Sequence, residues 1–247
     1  MTDYNHEEDV VYGYKDGVAL VMDVYTPRDP RVDAGILWVT AGGWPSGVDW
    51  RHSLMRRAEG AKADNLARCL LDAGYVVFAI DDLRSDVPRA VRFVRHHAGR
   101  FRIDGERLGM LGFSSGGHVS LLTSAAPPPP DPEAIDPVDR VSSCVQAVTA
   151  FYAPTVADAA ARQEIFRQNS PTTHVDGATP PSLLFHGDAD VVPLQQSEVY
   201  CQRLQEAGVA HKLVVLTGVG HETLVAPEDG RVDVIDWFGR YLGPGRG

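Results

Sequence analysis

The sequence predicts an α/β fold in which a mostly parallel central sheet carries helices on both faces. Three observations support this reading. Short apolar runs suited to buried strands recur along the chain, among them Gly35 to Thr40, Tyr75 to Ile80, Leu108 to Phe113 and Ser182 to His186. Between them lie segments whose apolar residues recur at helical spacing, and such alternation builds parallel, doubly wound sheets. The 247 residues, 44% of them hydrophobic, can bury a full core, and the absence of any repeat or linker reads as one domain over 1–247.

The elements follow in order. Val10 to Tyr14 and Val18 to Tyr25 are β-rich runs on either side of Asp16 and Gly17, which predicts an opening hairpin at a sheet edge, ended by Thr26-Pro27. Gly35 to Thr40 leads into the loop Ala41-Gly42-Gly43-Trp44-Pro45-Ser46-Gly47, whose glycines permit close backbone approach and outward-pointing N–H groups. Ala61 to Asp72 reads as a helix stopped at Gly74, Tyr75 to Ile80 as a central strand and Val87 to His97 as the next helix. The run Ala126-Pro127-Pro128-Pro129-Pro130-Asp131-Pro132 reads as a rigid extended spacer on the side away from Ser114.

Cys144 to Tyr152 is a further apolar strand. The segment leaving it, 153–180, is expected to hold a helix from Val156 to Gln168 and is either a short cap over the strands' C-terminal ends or a plain surface connection. Ser182 to His186 runs into Gly187-Asp188-Ala189-Asp190. Gln195 to Ala207 is a helix ended by Gly208, Lys212 to Thr217 a last strand, and Asp229 to Leu242 a closing amphipathic helix. Cys69, Cys144 and Cys201 fall in a helix, a strand and a helix among apolar neighbours, as small buried hydrophobes do, so no disulfide framework is expected.

The most informative stretch runs from Arg107 to Ser124. Leu108 to Phe113 is a buried strand and Ser115 onward a helix, so Ser114 stands where strand turns sharply into helix. Gly112 and Gly116 flank it two residues away on either side, where the backbones crowd and a larger side chain would block the turn. The pattern G-x-S-x-G is common by itself, but this context makes it a nucleophile elbow that forces Ser114 to the surface of the sheet. A serine hydroxyl is a poor nucleophile at neutral pH. It needs a base, an acid that orients the base, and donors aimed at the developing oxyanion. The loop at Gly42 and Gly43, Ser114, Asp190 and His221 supply a candidate for each part, the last three just beyond the ends of different strands.

Nine histidines compete for the base. His118 lies one helical turn after Ser114 and points into helix packing, His96 and His97 end a surface helix, and His6 is in a polar tail. His186 closes a strand, where it could line the site, and is expected instead to brace the loop that carries Asp190. His221, in a loop after the last strand, has both position and freedom, while His52 and His174 are outside candidates for substrate contacts. No H-E-x-x-H or Cys/His ligand spacing occurs, so no metal site is expected.

With these residues in place the chain resembles the α/β-hydrolase superfamily, in particular bacterial carboxylesterases related to hormone-sensitive lipase and to feruloyl or acetylxylan esterases. The motifs I-L-W-V-T-A-G-G-W, R-L-G-M-L-G-F-S-S-G-G-H, L-L-F-H-G-D-A-D-V-V-P-L-Q-Q-S and G-V-G-H-E carry the resemblance, which runs from Ile36 to Leu242. Nucleophile, acid and base follow in the order of that superfamily. Its H-G-x-x-D-x-x-V-P pattern falls on His186 to Pro193 and assigns the acid to Asp190, with Asp188 at a variable position. The match makes the backbone N–H groups of Gly42, Gly43 and Ser115 the oxyanion donors. Relatives usually carry a histidine and a third glycine before that loop; here Thr40 and Ala41 stand instead, and a threonine hydroxyl can still bond nearby backbone. The stretch Asp81 to Asp86 is shorter than in many relatives, which implies a more open pocket. Trp44 and Trp50 stand where an acyl or alcohol group would enter and are candidate substrate contacts, or else pack the loop itself.

The resemblance implies ester hydrolysis through an acyl-enzyme without a cofactor, on a small-molecule ester. The same residues suit an amidase, formamidase or peptidase, and some hydrolase-like proteins are ligand-binding receptors that have lost a triad member. A net charge of −10 repels nucleic acid and anionic membranes over most of the surface. The acidic start of the chain shows no signal peptide and no apolar stretch reaches membrane-spanning length, so a cytoplasmic protein is expected. The oligomeric state is not specified by the sequence.

Overall fold

A hairpin opens the sheet. β1 (Tyr4–Lys15) and β2 (Val18–Pro27) pair antiparallel around Asp16 and Gly17, both at positive φ as a two-residue hairpin turn requires. The computed structural model describes residues 4–28, 32–40, 66–81, 86–156, 169–221 and 228–243. β1 begins six residues earlier than the β-rich run predicts, because polar groups hold its first half. His6 Nε2 lies 2.8 Å from Oδ2 of the fully buried Asp23, its ring stacks on Tyr25, and the Asp9 N–H donates to Asp23 Oδ1 at 3.1 Å. His6 is therefore part of the sheet and not of a polar tail.

The remaining strands are β3 (Gly35–Thr40), β4 (Val76–Asp81), β5 (Leu108–Phe113), β6 (Ala147–Phe151), β7 (Ser182–Gly187) and β8 (His211–Leu216). They form one sheet of eight strands in the order β1-β2-β4-β3-β5-β6-β7-β8, parallel from β4 to β8. Among the described residues the α-helices are α1 (Leu66–Asp72), α2 (Val87–His96), the single turn α3 (Ala98–Phe101), α4 (Ser115–Ala125), α5 (Gln195–Glu206) and α6 (Glu228–Leu242). Two cores result. Strand residues such as Leu37, Val39, Phe78, Met110 and Val148 pack with α2, α4 and α5, whereas Ile36, Trp38, Val77, Leu111 and Phe185 pack with α1 and α6. Alternation along each strand thus sends its side chains to two separate helical layers, which is why these strands read as continuous apolar runs.

Two local expectations fail. The sixth strand starts at Ala147 instead of Cys144, and Cys144 is exposed. The cause is Arg95 of α2, which donates to the carbonyls of Gly105, Ser142 and Cys144 and so holds the approach to the strand as a loop. Cys201 is buried as expected, and burial pushes its thiol up to about 11. The proline-rich spacer is also tethered from α2, since Arg92 donates to the carbonyls of Pro128 and Pro129 at 2.9 and 2.7 Å. The predicted helix over Val156 to Gln168 lies outside the described residues from 157 onward.

At the centre of the sheet, α4 comes down on β5 and β3 with almost no clearance. A Cβ at Gly112 would overlap the carbonyl of Gly116, and a Cβ at Gly116 would overlap the carbonyl of Val39. These neighbours are backbone and have no rotamer by which to move aside. Gly116→Ala is therefore expected to lower stability by about 2 kcal/mol or more, read as a lower urea midpoint at unchanged slope. A midpoint equal to wild type would show that the helix can lift away from β3.

Candidate active site

The same crowding fixes Ser114. Caught between β5 and α4, it adopts φ 50° and ψ −120°, a conformation that residues with a Cβ rarely hold. Its N–H donates to the Phe151 carbonyl at 2.9 Å and its own carbonyl accepts from His118 N–H at 2.9 Å, so the strained residue is bonded on both sides. Beneath it, Trp38, Phe113, Phe151 and Phe185 stack across β3, β5, β6 and β7, with successive centroids 5.4, 4.4 and 4.5 Å apart. This aromatic row gives the strand ends a rigid floor.

Two neighbouring loops bring the other groups to Ser114. β7 runs into Gly187, where a Cβ would overlap the Val219 carbonyl, so the turn carrying Asp190 and the loop carrying His221 pack backbone on backbone. They are also stitched: Asp188 N–H donates to Leu216, Ala189 N–H donates to Val219, and Gly218 N–H donates to the Asp188 carboxylate at 2.6 Å. The result is a continuous chain of hydrogen bonds. Ser114 Oγ lies 2.8 Å from His221 Nε2, and His221 Nδ1 lies 2.8 and 3.1 Å from the two oxygens of Asp190. A carboxylate only accepts, so Nδ1 carries the proton and the Nε2 lone pair faces the serine hydroxyl. The Asp190 side chain is fully buried and also accepts from Val192 N–H at 2.7 Å. An imidazole in this setting can take a proton from Ser114 while the buried carboxylate stabilises the charge that results.

Other histidines take structural partners. His186 is fully buried, with Nδ1 2.7 Å from Ser197 Oγ and Nε2 2.8 Å from the Val192 carbonyl; it spans the Asp190 turn, as its place in the sequence suggested. His118 donates through Nδ1 to the Pro154 carbonyl at 2.8 Å. Thr40 is buried and donates to the Ile80 carbonyl at 3.0 Å, which pins the end of β3 to β4. Ser115 begins α4 beside Ser114. Gly42, Gly43, Trp44, Trp50 and His52 lie outside the described residues. The roots of the 153–180 segment are clamped, since Thr155 accepts from Thr172 and is bonded to Gln196 on α5. Tyr152, which sequence reasoning did not single out, places its ring against His221. Among the described residues no cluster of His, Cys, Asp and Glu could hold a metal ion.

Residues 84–245 match the profile of the prolyl oligopeptidase family. The chain belongs to this family. The chain is similar to a probable carboxylic ester hydrolase, LipM, of Mycobacterium tuberculosis, 27% identical over 83% of this chain and 53% of LipM. It is also similar to a probable isoprenylcysteine alpha-carbonyl methylesterase of Arabidopsis thaliana, 23% identical over 93% of this chain and 53% of that protein. The chain thus spans about half the length of these two relatives. Among solved structures, a truncated carbohydrate esterase from gut microbiota superposes with a TM-score of 0.76 over 96% of both chains at 23% identity. The esterase Est2 of Thermogutta terrifontis gives 0.75 over 100% of this chain and 95% of its own, also at 23% identity. These superpositions show the α/β-hydrolase fold.

Within this member of the prolyl oligopeptidase family the two acidic residues of the Gly187–Asp190 turn are separated by their partners. Asp190 meets His221, whereas Asp188 meets a backbone N–H that an asparagine oxygen can also bind. Asp190→Asn is expected to favour the wrong imidazole tautomer and cut kcat on an activated ester by about 10⁴-fold, with Asp188→Asn staying within about tenfold of wild type. Reversed effects in steady-state assays would move the acid to Asp188.

Proposed function

We propose that this chain is a serine carboxylesterase that cleaves small or short-acyl esters through an acyl-enzyme on Ser114. The observation that carries this reading is the unbroken relay Asp190–His221–Ser114, with both links at 2.8 Å and the serine held in a strained turn. His221 Nε2 takes the hydroxyl proton as Ser114 Oγ bonds to the ester carbonyl carbon. The negative oxygen of the tetrahedral intermediate is held by the Ser115 N–H at the start of α4 and by the N–H groups of Gly42 and Gly43. The C–O bond to the alcohol then breaks, and the alcohol leaves with the proton from His221. Water repeats the sequence on the acyl-enzyme, releasing the carboxylic acid and restoring the serine.

Several findings support an ester over other acyl groups. The two relatives named above are a probable carboxylic ester hydrolase and a probable methylesterase, and the Est2 structures include forms with propionate and with butyrate bound. Short acyl chains also suit the short 153–180 segment, which offers little chain from which to build a long apolar tunnel, and Trp44 and Trp50 are our candidate contacts for the acyl or alcohol group. No helix of the described residues is long and apolar enough to cross a membrane. The family's own description favours a second reading, peptide hydrolysis by the same relay.

A p-nitrophenyl ester series run beside a prolyl-peptide p-nitroanilide decides between them. Acetyl to butyryl esters are expected to give higher kcat/KM than the decanoate and far higher than the anilide, since each methylene gains ~0.8 kcal/mol only where a pocket buries it. Ser114→Ala should lower kcat by at least ~10⁴-fold with the circular dichroism spectrum unchanged. Values of kcat/KM rising through decanoate would show a long acyl channel. A dominant anilide rate would make the chain a peptidase, and residual turnover of a tenth in the alanine variant would remove Ser114 from the mechanism.

A further inference from the structure

Tyr152 stands at the exit of β6, one residue beyond the rung where Phe113, Phe151 and Phe185 align, and it is 3% exposed. Its φ of 39° lies in the left-handed region that residues with a side chain rarely adopt. The inversion redirects the ring. Consecutive residues of an extended strand point to opposite faces, yet Phe151 and Tyr152 both join the core under α1 and α6, and Ala153 joins the other. The Tyr152 ring thereby meets the His221 imidazole edge-on, with centroids 4.8 Å apart and planes at 62°. Burial pushes the phenol pKa up and the Asp190 carboxylate adds to the rise, so the ring stays neutral beside the relay.

Both sides of this contact are anchored. Tyr152 N–H donates to the Phe185 carbonyl at 2.7 Å, the Pro154 carbonyl accepts from His118, and Thr155 is bonded twice to Gln196. The His221 loop is stitched to the Asp190 turn at Gly218 and Val219, and one further residue, Gly220, separates that stitching from His221. Hydrogen bonds at Nδ1 and Nε2 act together with the Cβ–Cγ bond to place the imidazole, and a ring packed against it adds a steric stop to rotation about Cβ–Cγ.

We propose that Tyr152 is a positioning residue whose ring, carried by a rigid strand exit, fixes the plane of the His221 imidazole so that Nε2 stays in line with Ser114 Oγ. This rests on the reading of His221 as the base. Two strained residues on neighbouring strands, Ser114 after β5 and Tyr152 after β6, then serve one histidine from two directions.

The test compares Tyr152→Phe, Tyr152→Leu and Tyr152→Ala by steady-state hydrolysis of p-nitrophenyl acetate, with circular dichroism and thermal melting of each and with Ser114→Ala as a control. Phe keeps the ring and is expected to stay within about twofold of wild-type kcat. Leu fills the space without a planar wall; it and Ala are expected to lose about 10- to 10²-fold in kcat with KM within about twofold, as for a misplaced catalytic group. Should the alanine variant fail to fold, the leucine variant decides. Full kcat in the folded leucine variant, or a loss carried by KM alone, overturns the proposal while an inactive Ser114→Ala leaves the esterase reading standing. An active Ser114→Ala overturns that reading, and the proposal with it.

Discussion

The structure depends on a close approach of backbone to backbone. Where α4 meets β5 and β3, the atoms that would collide with a Cβ at Gly112 or Gly116 are carbonyls and amides, which cannot turn aside. The short turn this allows drives Ser114 to a φ of 50° and presents its hydroxyl above the strand ends. Strain of this kind persists only when the surroundings over-determine it. Here the surroundings are the parallel strands on either side, the bonds from Ser114 N–H to Phe151 and from His118 N–H to Ser114, and the aromatic row beneath.

From that fixed point the rest of the site is assembled by packing the loops after β7 and β8 against each other. Gly187 lies against the Val219 carbonyl, and Asp188 holds the Gly218 N–H, so the turn bearing Asp190 and the loop bearing His221 are packed and bonded to each other. His186 takes no part in proton transfer; both its ring nitrogens are engaged, with Ser197 and with the Val192 carbonyl, and it keeps the Asp190 turn in shape from below. Thr40 does a comparable task on the other side. By donating to Ile80 it fastens the end of β3, two residues before Gly42 in the chain.

Much of this was legible in the sequence because it follows from local rules. β3 and β5 match their predicted limits residue for residue, each being a short apolar run ended by a polar residue at a turn. Ser114, Asp190 and His221 could be nominated because each stands just past a strand end, and the fold brings the three together. The failures have a different origin. Cys144 was drawn out of its strand by Arg95, 49 residues earlier, and His6 into the sheet by Asp23, 17 residues later; neither separation leaves a periodic trace. Tyr152 escaped notice because its reversal is a single backbone angle, although two consecutive aromatics at a strand exit, Phe151 and Tyr152, both lying in one core, are its signature.

The central claim is that the relay makes Ser114, alone among the serines of this chain, a nucleophile at neutral pH. Labelling with a fluorophosphonate tests it directly, because phosphonylation needs an activated hydroxyl and an oxyanion site but no particular ester. Intact-mass analysis followed by peptide mapping should show one equivalent incorporated, on the peptide that holds Ser114. No incorporation, or incorporation at another serine while Ser114 stays free, would contradict the account.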